Sequence, residues 1–148
     1  MQANPAILPL SRLAKVAVSL EMLLSVGALG GGAALMLGPR GEILPLPLSA
    51  LQGSPFASYF VPGLILCSVL GLGPLGAAYL VWRRHELAPL AAFIAGVALL
   101  VWVSVQIAII GYSNEPPLQP LYLLFGAVLT AVGLGWLVRL SGGQRVAS

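Results

Sequence analysis

The sequence predicts an all-α integral membrane protein, a compact antiparallel bundle of four transmembrane helices with an apolar outer loop between helices 1 and 2. Two observations support this fold class. First, 59% of the residues are hydrophobic and only 7% are charged, with a mean hydropathy of +0.99, whereas about a quarter of the residues in soluble domains are charged. Second, four apolar runs each approach the ~20 residues that a helix needs to cross a ~30 Å hydrocarbon layer.

We treat residues 1–148 as a single membrane domain. The predicted spans are approximately 16–37, 60–82, 87–110 and 121–140, with the apolar outer loop at 38–53 and a short tail at 141–148. Arg12 and Lys15 precede the first run, as cations precede a signal peptide. That run is longer than the ~7–15 apolar residues of a signal peptide, and it contains Glu21, so it is assigned as a span.

The distribution of cations predicts the orientation of the chain. Six of the seven lie on the side of both termini, and only Arg40 lies on the other: the six are Arg12, Lys15, Arg83, Arg84, Arg139 and Arg145. Lys and Arg are enriched in cytoplasmic segments, which places both termini in the cytoplasm. So few and scattered cations also argue against nucleic-acid binding.

The segment GSPFASYF predicts the entry of the second span. Ser54 is placed to cap a helix whose first residue is Pro55, a position where proline is well tolerated. Tyr59 belongs to a group of aromatic residues expected at headgroup level. Pro62, one turn deeper, is expected to bend the helix and to leave the carbonyl of Ser58 without its helical donor.

Gln106 and Trp102 are candidate binding residues in the third span, in the stretch WVSVQIAIIGY. Gln106 precedes Tyr112 by six residues, or ~9 Å along a helix, so it should lie near the outer face. Two interpretations of its amide stay open. It donates to the carbonyl that Pro62 frees, or it contacts a ligand.

Two loops are predicted to face outward. The longer loop contains LPLPL, which cannot form a regular helix and is too apolar to extend into water. We expect it to lie on the membrane or to fold over the outer mouth of the bundle, with a short helical turn near residues 49–52. It is either a hydrophobic cover or a ligand gate. In the shorter loop, at 113–119, Asn114 is the predicted cap of span four.

Small residues predict how the spans pack. Gly27 and Gly31 have the four-residue spacing of a close helix crossing. Pro74 is expected to break the second helix near its middle and to free the carbonyl of Leu70. That break is either a packing kink or, as in transporters, part of a binding site. Further glycines counted with this group are Gly30, Gly32, Gly71, Gly73, Gly76, Gly126, Gly133 and Gly135.

Glu21 is the only carboxylate predicted to lie clearly within the membrane. It follows Lys15 by six residues, or ~9 Å along a helix, which places it in the inner third of the bilayer. One interpretation is a structural ion pair with Arg84 or Arg139 at the inner ends of neighbouring spans. The other is a carboxylate that binds a proton or a substrate.

Catalytic constellations are absent from the sequence. His85, the only histidine, lies in the charged turn WRRHEL, and Cys67 is the only cysteine. There is no carboxylate pair, HExxH helix, Cys–His dyad or glycine-rich phosphate loop. The sequence therefore favours a non-enzymatic protein and predicts no catalytic residue, no cofactor and no metal site.

Two resemblances add to this interpretation. LPLSALQGSPFASYFVPGLIL and QIAIIGYSNEPPLQPLY resemble a group of small four-span bacterial membrane proteins without an established activity. That resemblance implies a multi-pass protein of the bacterial inner membrane. The chain also resembles small multidrug resistance transporters, which have four short spans and a functional glutamate in the first. The residue of this chain that matches the transporter glutamate is Glu21.

The leading functional prediction is a non-enzymatic multi-pass protein that binds partner proteins or lipids as an accessory or scaffold subunit. Its expected partners are the lipid bilayer and other proteins or further copies of this chain. The alternative is a small proton-coupled carrier of lipophilic molecules that uses Glu21. A cavity that reaches Glu21 would favour the carrier. A solid, glycine-packed interior would favour the accessory or scaffold subunit. The candidate binding residues are Glu21, Gln106, Trp102, Tyr59 and Pro62.

Overall fold

The computed structural model describes residues 11–112 and 117–145, with side chains through residue 140. All regular structure within these ranges is helical. The elements are α1 (Arg12–Leu37), a 3-10 helix (Leu48–Leu51), α2 (Phe60–Ile65), a π-helical segment (Leu66–Leu72), α3 (Gly73–Trp82), α4 (Ala88–Ile110) and α5 (Leu118–Arg145). The predicted cap at Asn114 lies outside the described residues.

Four helices are long and apolar enough to cross a membrane. They are Arg12–Leu37, Phe60–Trp82, Ala88–Ile110 and Leu118–Leu140. These ranges agree with the predicted spans to within a few residues, although α5 stays helical through Arg145, into the predicted tail. Large apolar side chains cover the outside of the bundle, among them Leu23, Val26 and Trp82 at 64%, 65% and 73% exposure. Such a surface is compatible with a multi-pass membrane protein.

The helices share a core that lies between α1, the second span (Phe60–Trp82), α4 and α5. Its buried members include Leu24, Leu70, Leu99 and Leu129. α1 packs mainly on the second span, and α4 packs mainly on α5. We call the end that carries the long loop (residues 38–59) the loop end, and the end that carries residues 83–87 the turn end.

The second span starts at Phe60, where the predicted span also begins. The helix start expected at Pro55 is wrong, because the first helical residue is Phe60. The Ser54 hydroxyl donates to the carbonyl of Leu51 at 2.8 Å and accepts from the N–H of Phe56 at 3.2 Å. Ser54 therefore stabilises a turn in the long loop and caps no helix.

Pro62 does not interrupt the helix as predicted, because it is the third residue of α2. The first four N–H groups of a helix have no partner within it. A proline in the first turn therefore removes no helical hydrogen bond, and the carbonyl of Ser58 loses no donor that it would otherwise have had.

The predicted break at Pro74 is confirmed. α-Helical geometry gives way to a π-helical segment over Leu66–Leu72, and α3 begins at Gly73 with Pro74 in its first turn. The sequence predicts that the carbonyl of Leu70 loses its helical donor. In the structure, the carbonyl that accepts a hydrogen bond from another helix is that of the next residue, Gly71. It accepts a hydrogen bond of 2.7 Å from the buried hydroxyl of Ser25 in α1.

α1 approaches the second span most closely at Gly32. A Cβ atom on Gly32 would lie 2.6 Å from the Cys67 sulfur and 2.7 Å from the carbonyl oxygen of Gly63. At Gly71 a Cβ would meet the Leu29 side chain at 2.6 Å, a neighbour that can move more easily than backbone. Gly32 therefore lets the two backbones approach directly, and Gly71 leaves room for the Leu29 side chain.

The predicted close crossing at Gly27 and Gly31 is wrong. A Cβ on Gly27 would have no other atom within 4 Å, and one on Gly31 would meet only Leu66, at an ordinary 3.6 Å. Both glycines face open space, because the neighbouring Gly32 carries the helix contact on a different face of α1.

α4 and α5 are held together by a second pair of glycine contacts. A Cβ on Gly96 would lie 2.5 Å from the backbone nitrogen of Thr130, and one on Gly133 would lie 2.6 Å from the Cα of Phe93. In both cases the obstacle is backbone, which cannot move aside as a flexible side chain can. The spacing between α4 and α5 therefore requires glycine at both positions.

We expect Gly133→Ala to lower the free energy of unfolding by about 1–3 kcal/mol, because the added methyl forces α4 and α5 apart. Gly135→Ala is the matched control, since a Cβ at Gly135 meets nothing within 4 Å. In that variant the free energy of unfolding should rise by about 0.5–1 kcal/mol, because alanine is a better helix former than glycine. Denaturation of the purified proteins in detergent, followed by circular dichroism, measures both changes. Equal effects of the two substitutions would contradict this account of the α4–α5 contact.

Candidate functional site

Glu21 is the most unusual polar residue of the bundle. Its side chain has no exposed surface, and neither carboxylate oxygen has a hydrogen-bond partner within the described part of the chain. The predicted ion pair with Arg84 or Arg139 is therefore not present in the structure. An unpaired polar group in such a position costs about 1–3 kcal/mol or more, and an ionisable group within a membrane span often has a functional role.

Glu21 lies opposite the interrupted part of the second span. Two contacts bracket its level: the hydrogen bond from Ser25 to Gly71, and the packing of Ala14 against Val81. Glu21 falls between Ala14 and Ser25 on the buried face of α1, so it lies level with the segment between residues 71 and 81. That segment contains Pro74, which is also fully buried. The unpaired carboxyl and the change of helix geometry thus occur at the same depth.

A cavity of about 110 Å³ lies between α1, the π-helical segment, α4 and α5. We call it the glycine groove, because Gly27 and Gly31 form its α1 wall. Trp102 and Gln106 of α4 and Tyr122 of α5 face them across the cavity. The remaining lining residues are apolar: Leu24, Ala28, Leu66, Leu70, Leu99 and Val103. Glu21 is not among the lining residues, although Leu24 lies one helical turn from it.

Gln106 presents an amide to this groove. The predicted hydrogen bond to the carbonyl of Ser58 does not form, and the side chain has no hydrogen-bond partner within residues 11–112 and 117–145. A half-buried amide among apolar side chains is costly to leave unpaired in hydrocarbon. Gln106 is therefore a polar group of the glycine groove that is free to bind a ligand, beside the Trp102 indole N–H and the Tyr122 hydroxyl.

Tyr59 fastens the long loop. Its side chain is buried, and its hydroxyl donates to the carbonyl of Pro47 at 2.8 Å. Its backbone N–H donates to the carbonyl of Pro39, also at 2.8 Å. Burial raises the pKa of the Tyr59 hydroxyl. With both groups engaged by the loop, Tyr59 is a structural residue.

The long loop folds over the loop end of the bundle, one of the two positions that the sequence predicts. Leu51 and Tyr59 pack against Leu35 of α1 in a small buried cluster. The 3-10 helix Leu48–Leu51 confirms the helical turn expected near residues 49–52 and also contacts α4.

The five predicted candidates thus separate into four groups. Trp102 and Gln106 meet in the glycine groove, Tyr59 holds the loop, and Pro62 lies in the first turn of α2 away from the groove. Glu21 lies deeper in the bundle and alone. Gly27, Gly31 and Tyr122 also line the groove, although the sequence predicts none of them as a binding residue. Glycines at four-residue spacing are typical of a close helix contact, which conceals this role. Their common helix face was the signal that could have revealed a groove.

No protein family, curated protein or solved structure matches this chain. Among the described residues, no group of three or more His, Cys, Asp and Glu side chains could hold a metal ion. The four long apolar helices are compatible with a multi-pass membrane protein.

Proposed function

We propose that this chain is a non-enzymatic multi-pass membrane protein that binds a lipid in the glycine groove and acts as an accessory or scaffold subunit. In this proposal the four spans form an antiparallel bundle in a bacterial inner membrane. Both termini are cytoplasmic, and the long loop lies outside. The observation that carries the proposal is the unpaired amide of Gln106 in a groove that is lined mainly by apolar and aromatic side chains.

The position of the groove supports a ligand that enters from the bilayer. Gly27 is exposed on the outside of α1 and has no other atom near its missing side chain. In a membrane this opening faces acyl chains, so a lipid reaches the groove sideways without passing through water. The packed glycine contacts at Gly32, Gly96 and Gly133 also favour a solid interior over a central pathway.

The chemistry of the lining supports an uncharged polar group on that lipid. No charged side chain lines the groove. Gln106 lies four residues before the end of α4 at Ile110, which is ~6 Å along the helix. At this depth the ester carbonyls of a glycerolipid are within reach of the amide, and its acyl chain can pack against Gly27, Gly31 and Trp102.

Filling the groove tests the lipid-binding proposal. Gly31→Leu places a side chain in the groove, whereas Gly30→Leu adds the same side chain to the same helix outside the groove, where a Cβ also meets nothing within 4 Å. We expect Gly31→Leu to abolish retention of a diacylglycerol probe in native mass spectrometry and Gly30→Leu to leave it intact. Gln106→Leu should weaken retention by about 3–20-fold, the equivalent of one hydrogen bond in a membrane.

Equal lipid retention by the Gly30→Leu and Gly31→Leu variants would contradict lipid binding in the glycine groove. A second copy of this chain or another protein that is bound to the wild type, and that Gly31→Leu releases, would assign the groove to a partner helix instead.

A second candidate function is a proton-coupled carrier of lipophilic molecules, and Glu21 is the observation that favours it. A buried carboxyl without a partner, level with an interrupted helix, is the kind of arrangement found at transporter binding sites. In a carrier of this kind, the bundle would open between α1 and the second span to expose Glu21. The glycine groove ends at Leu24, one turn short of the carboxyl.

Proton release separates the two candidates. Purified protein in weakly buffered detergent is mixed with tetraphenylphosphonium, a lipophilic cation, while a dye reports the pH. The lipid-binding proposal predicts no proton release from any variant. Release by the wild type and by Glu42→Gln, a control in the exposed loop, but not by Glu21→Gln, would show proton-coupled binding at Glu21 and favour the carrier over the accessory or scaffold role.

A further inference from the structure

A second groove lies at the turn end, on the outside of the bundle between α1 and the second span. It has a volume of about 390 Å³ and is lined entirely by apolar and aromatic side chains: Val18, Met22, Leu75, Ala78, Tyr79 and Trp82. We call it the aromatic groove. It shares no lining residue with the glycine groove.

Each wall of the aromatic groove leads to a cation at the turn end. Val18 and Met22 lie one turn apart on α1, and Lys15 precedes Val18 by three residues, which places it on the same side of the helix. On the other wall, Arg83 directly follows Trp82. Both cations are exposed, and neither has a carboxylate partner within the described residues.

Arg83 is held near the rim of the groove by aromatic contacts. Its guanidinium carbon lies 6.0 Å from the centre of the Tyr79 ring, within range of a cation–π interaction. The Tyr79 ring in turn makes an edge-to-face contact with Trp82, with 6.2 Å between ring centres. Tyr and Trp side chains concentrate at the boundary between hydrocarbon and headgroups, so the cation is placed at headgroup level.

We propose that the aromatic groove binds one phospholipid with an anionic headgroup. An acyl chain lies between Val18, Met22 and Leu75, and the headgroup phosphate is bound by Arg83 and Lys15. The inference rests on the membrane-spanning part of the proposed function but not on lipid binding in the glycine groove.

The dimensions and charges favour a lipid over a partner helix. The lining residues of the second span run from Leu75 to Trp82, or ~10 Å along the helix. This is about a third of the ~30 Å that a partner's transmembrane helix would occupy. A short apolar wall with two cations at one end matches an amphiphile that has a chain and an anionic head. Anionic phospholipids are abundant in the cytoplasmic leaflet, where the turn end lies in the proposed orientation.

Binding of phosphatidylglycerol and phosphatidylcholine with identical acyl chains tests this inference. The full-length protein in neutral detergent is titrated with each lipid, and the bound fraction is measured by native mass spectrometry. We expect the wild type to prefer phosphatidylglycerol. Lys15→Gln and Arg83→Gln should each weaken phosphatidylglycerol binding by about fivefold, the contribution of one cation near a charged membrane surface. Phosphatidylcholine binding should change much less.

Arg40→Gln is the control, because it removes the same charge from an exposed position at the loop end. It should leave the preference for phosphatidylglycerol unchanged. Trp82→Ala should weaken the binding of both lipids, because it removes part of the wall of the aromatic groove. It should preserve the preference for phosphatidylglycerol. All four side chains are exposed, and circular dichroism checks that each variant is folded.

A preference for phosphatidylglycerol that survives Lys15→Gln combined with Arg83→Gln would overturn the inference, as would the absence of any preference in the wild type. The glycine groove is tested separately, since Gly31→Leu should not alter the ratio of the two affinities. Failure of one assignment is therefore distinguishable from failure of the other.

Discussion

The structure depends on one hydrogen bond, from the hydroxyl of Ser25 to the carbonyl of Gly71. In hydrocarbon, each backbone polar group needs a partner within the protein. The second span departs from α-helical geometry over Leu66–Leu72 and resumes it at Gly73, so the regular pattern of helical hydrogen bonds is interrupted there. Ser25 supplies a donor at that point and thereby sets how α1 lies against the second span.

The remaining features of α1 follow from this orientation. The face that carries Ser25 also carries Gly32, which brings the two backbones together at Cys67. It carries Glu21 as well, one turn before Ser25, and so places a carboxyl inside the bundle without a partner. α1 also forms part of both grooves. Gly27 and Gly31 line the glycine groove towards the loop end, and Val18 and Met22 line the aromatic groove at the turn end.

Features encoded by local sequence are predicted well here. Apolar runs indicate the four helices, and Pro74 indicates the break, because a proline within a helix always removes one backbone donor. The errors concern features that depend on which helix face meets which neighbour. Gly27 and Gly32 are indistinguishable by spacing, yet only Gly32 makes the close contact. The predicted ion pair of Glu21 and the predicted hydrogen bond of Gln106 do not form. Such contacts depend on the relative positions of the helices, which the periodicity of the sequence does not determine. Pro62 was misplaced because the helix starts five residues later than the apparent cap at Ser54 indicates.

The central claim is that four helices cross a membrane with the long loop and the turn at residues 83–87 on opposite sides. Cysteine labelling tests it in a Cys67→Ser background, because Cys67 is the only native thiol. Single cysteines replace two exposed residues, Ser49 in the long loop and Glu86 in the turn. A membrane-impermeant maleimide added to intact bacterial cells should label the cysteine at position 49 at once and the one at position 86 only after permeabilisation. Equal labelling of both positions in intact cells would contradict the account, whereas labelling of position 86 alone would reverse the proposed orientation.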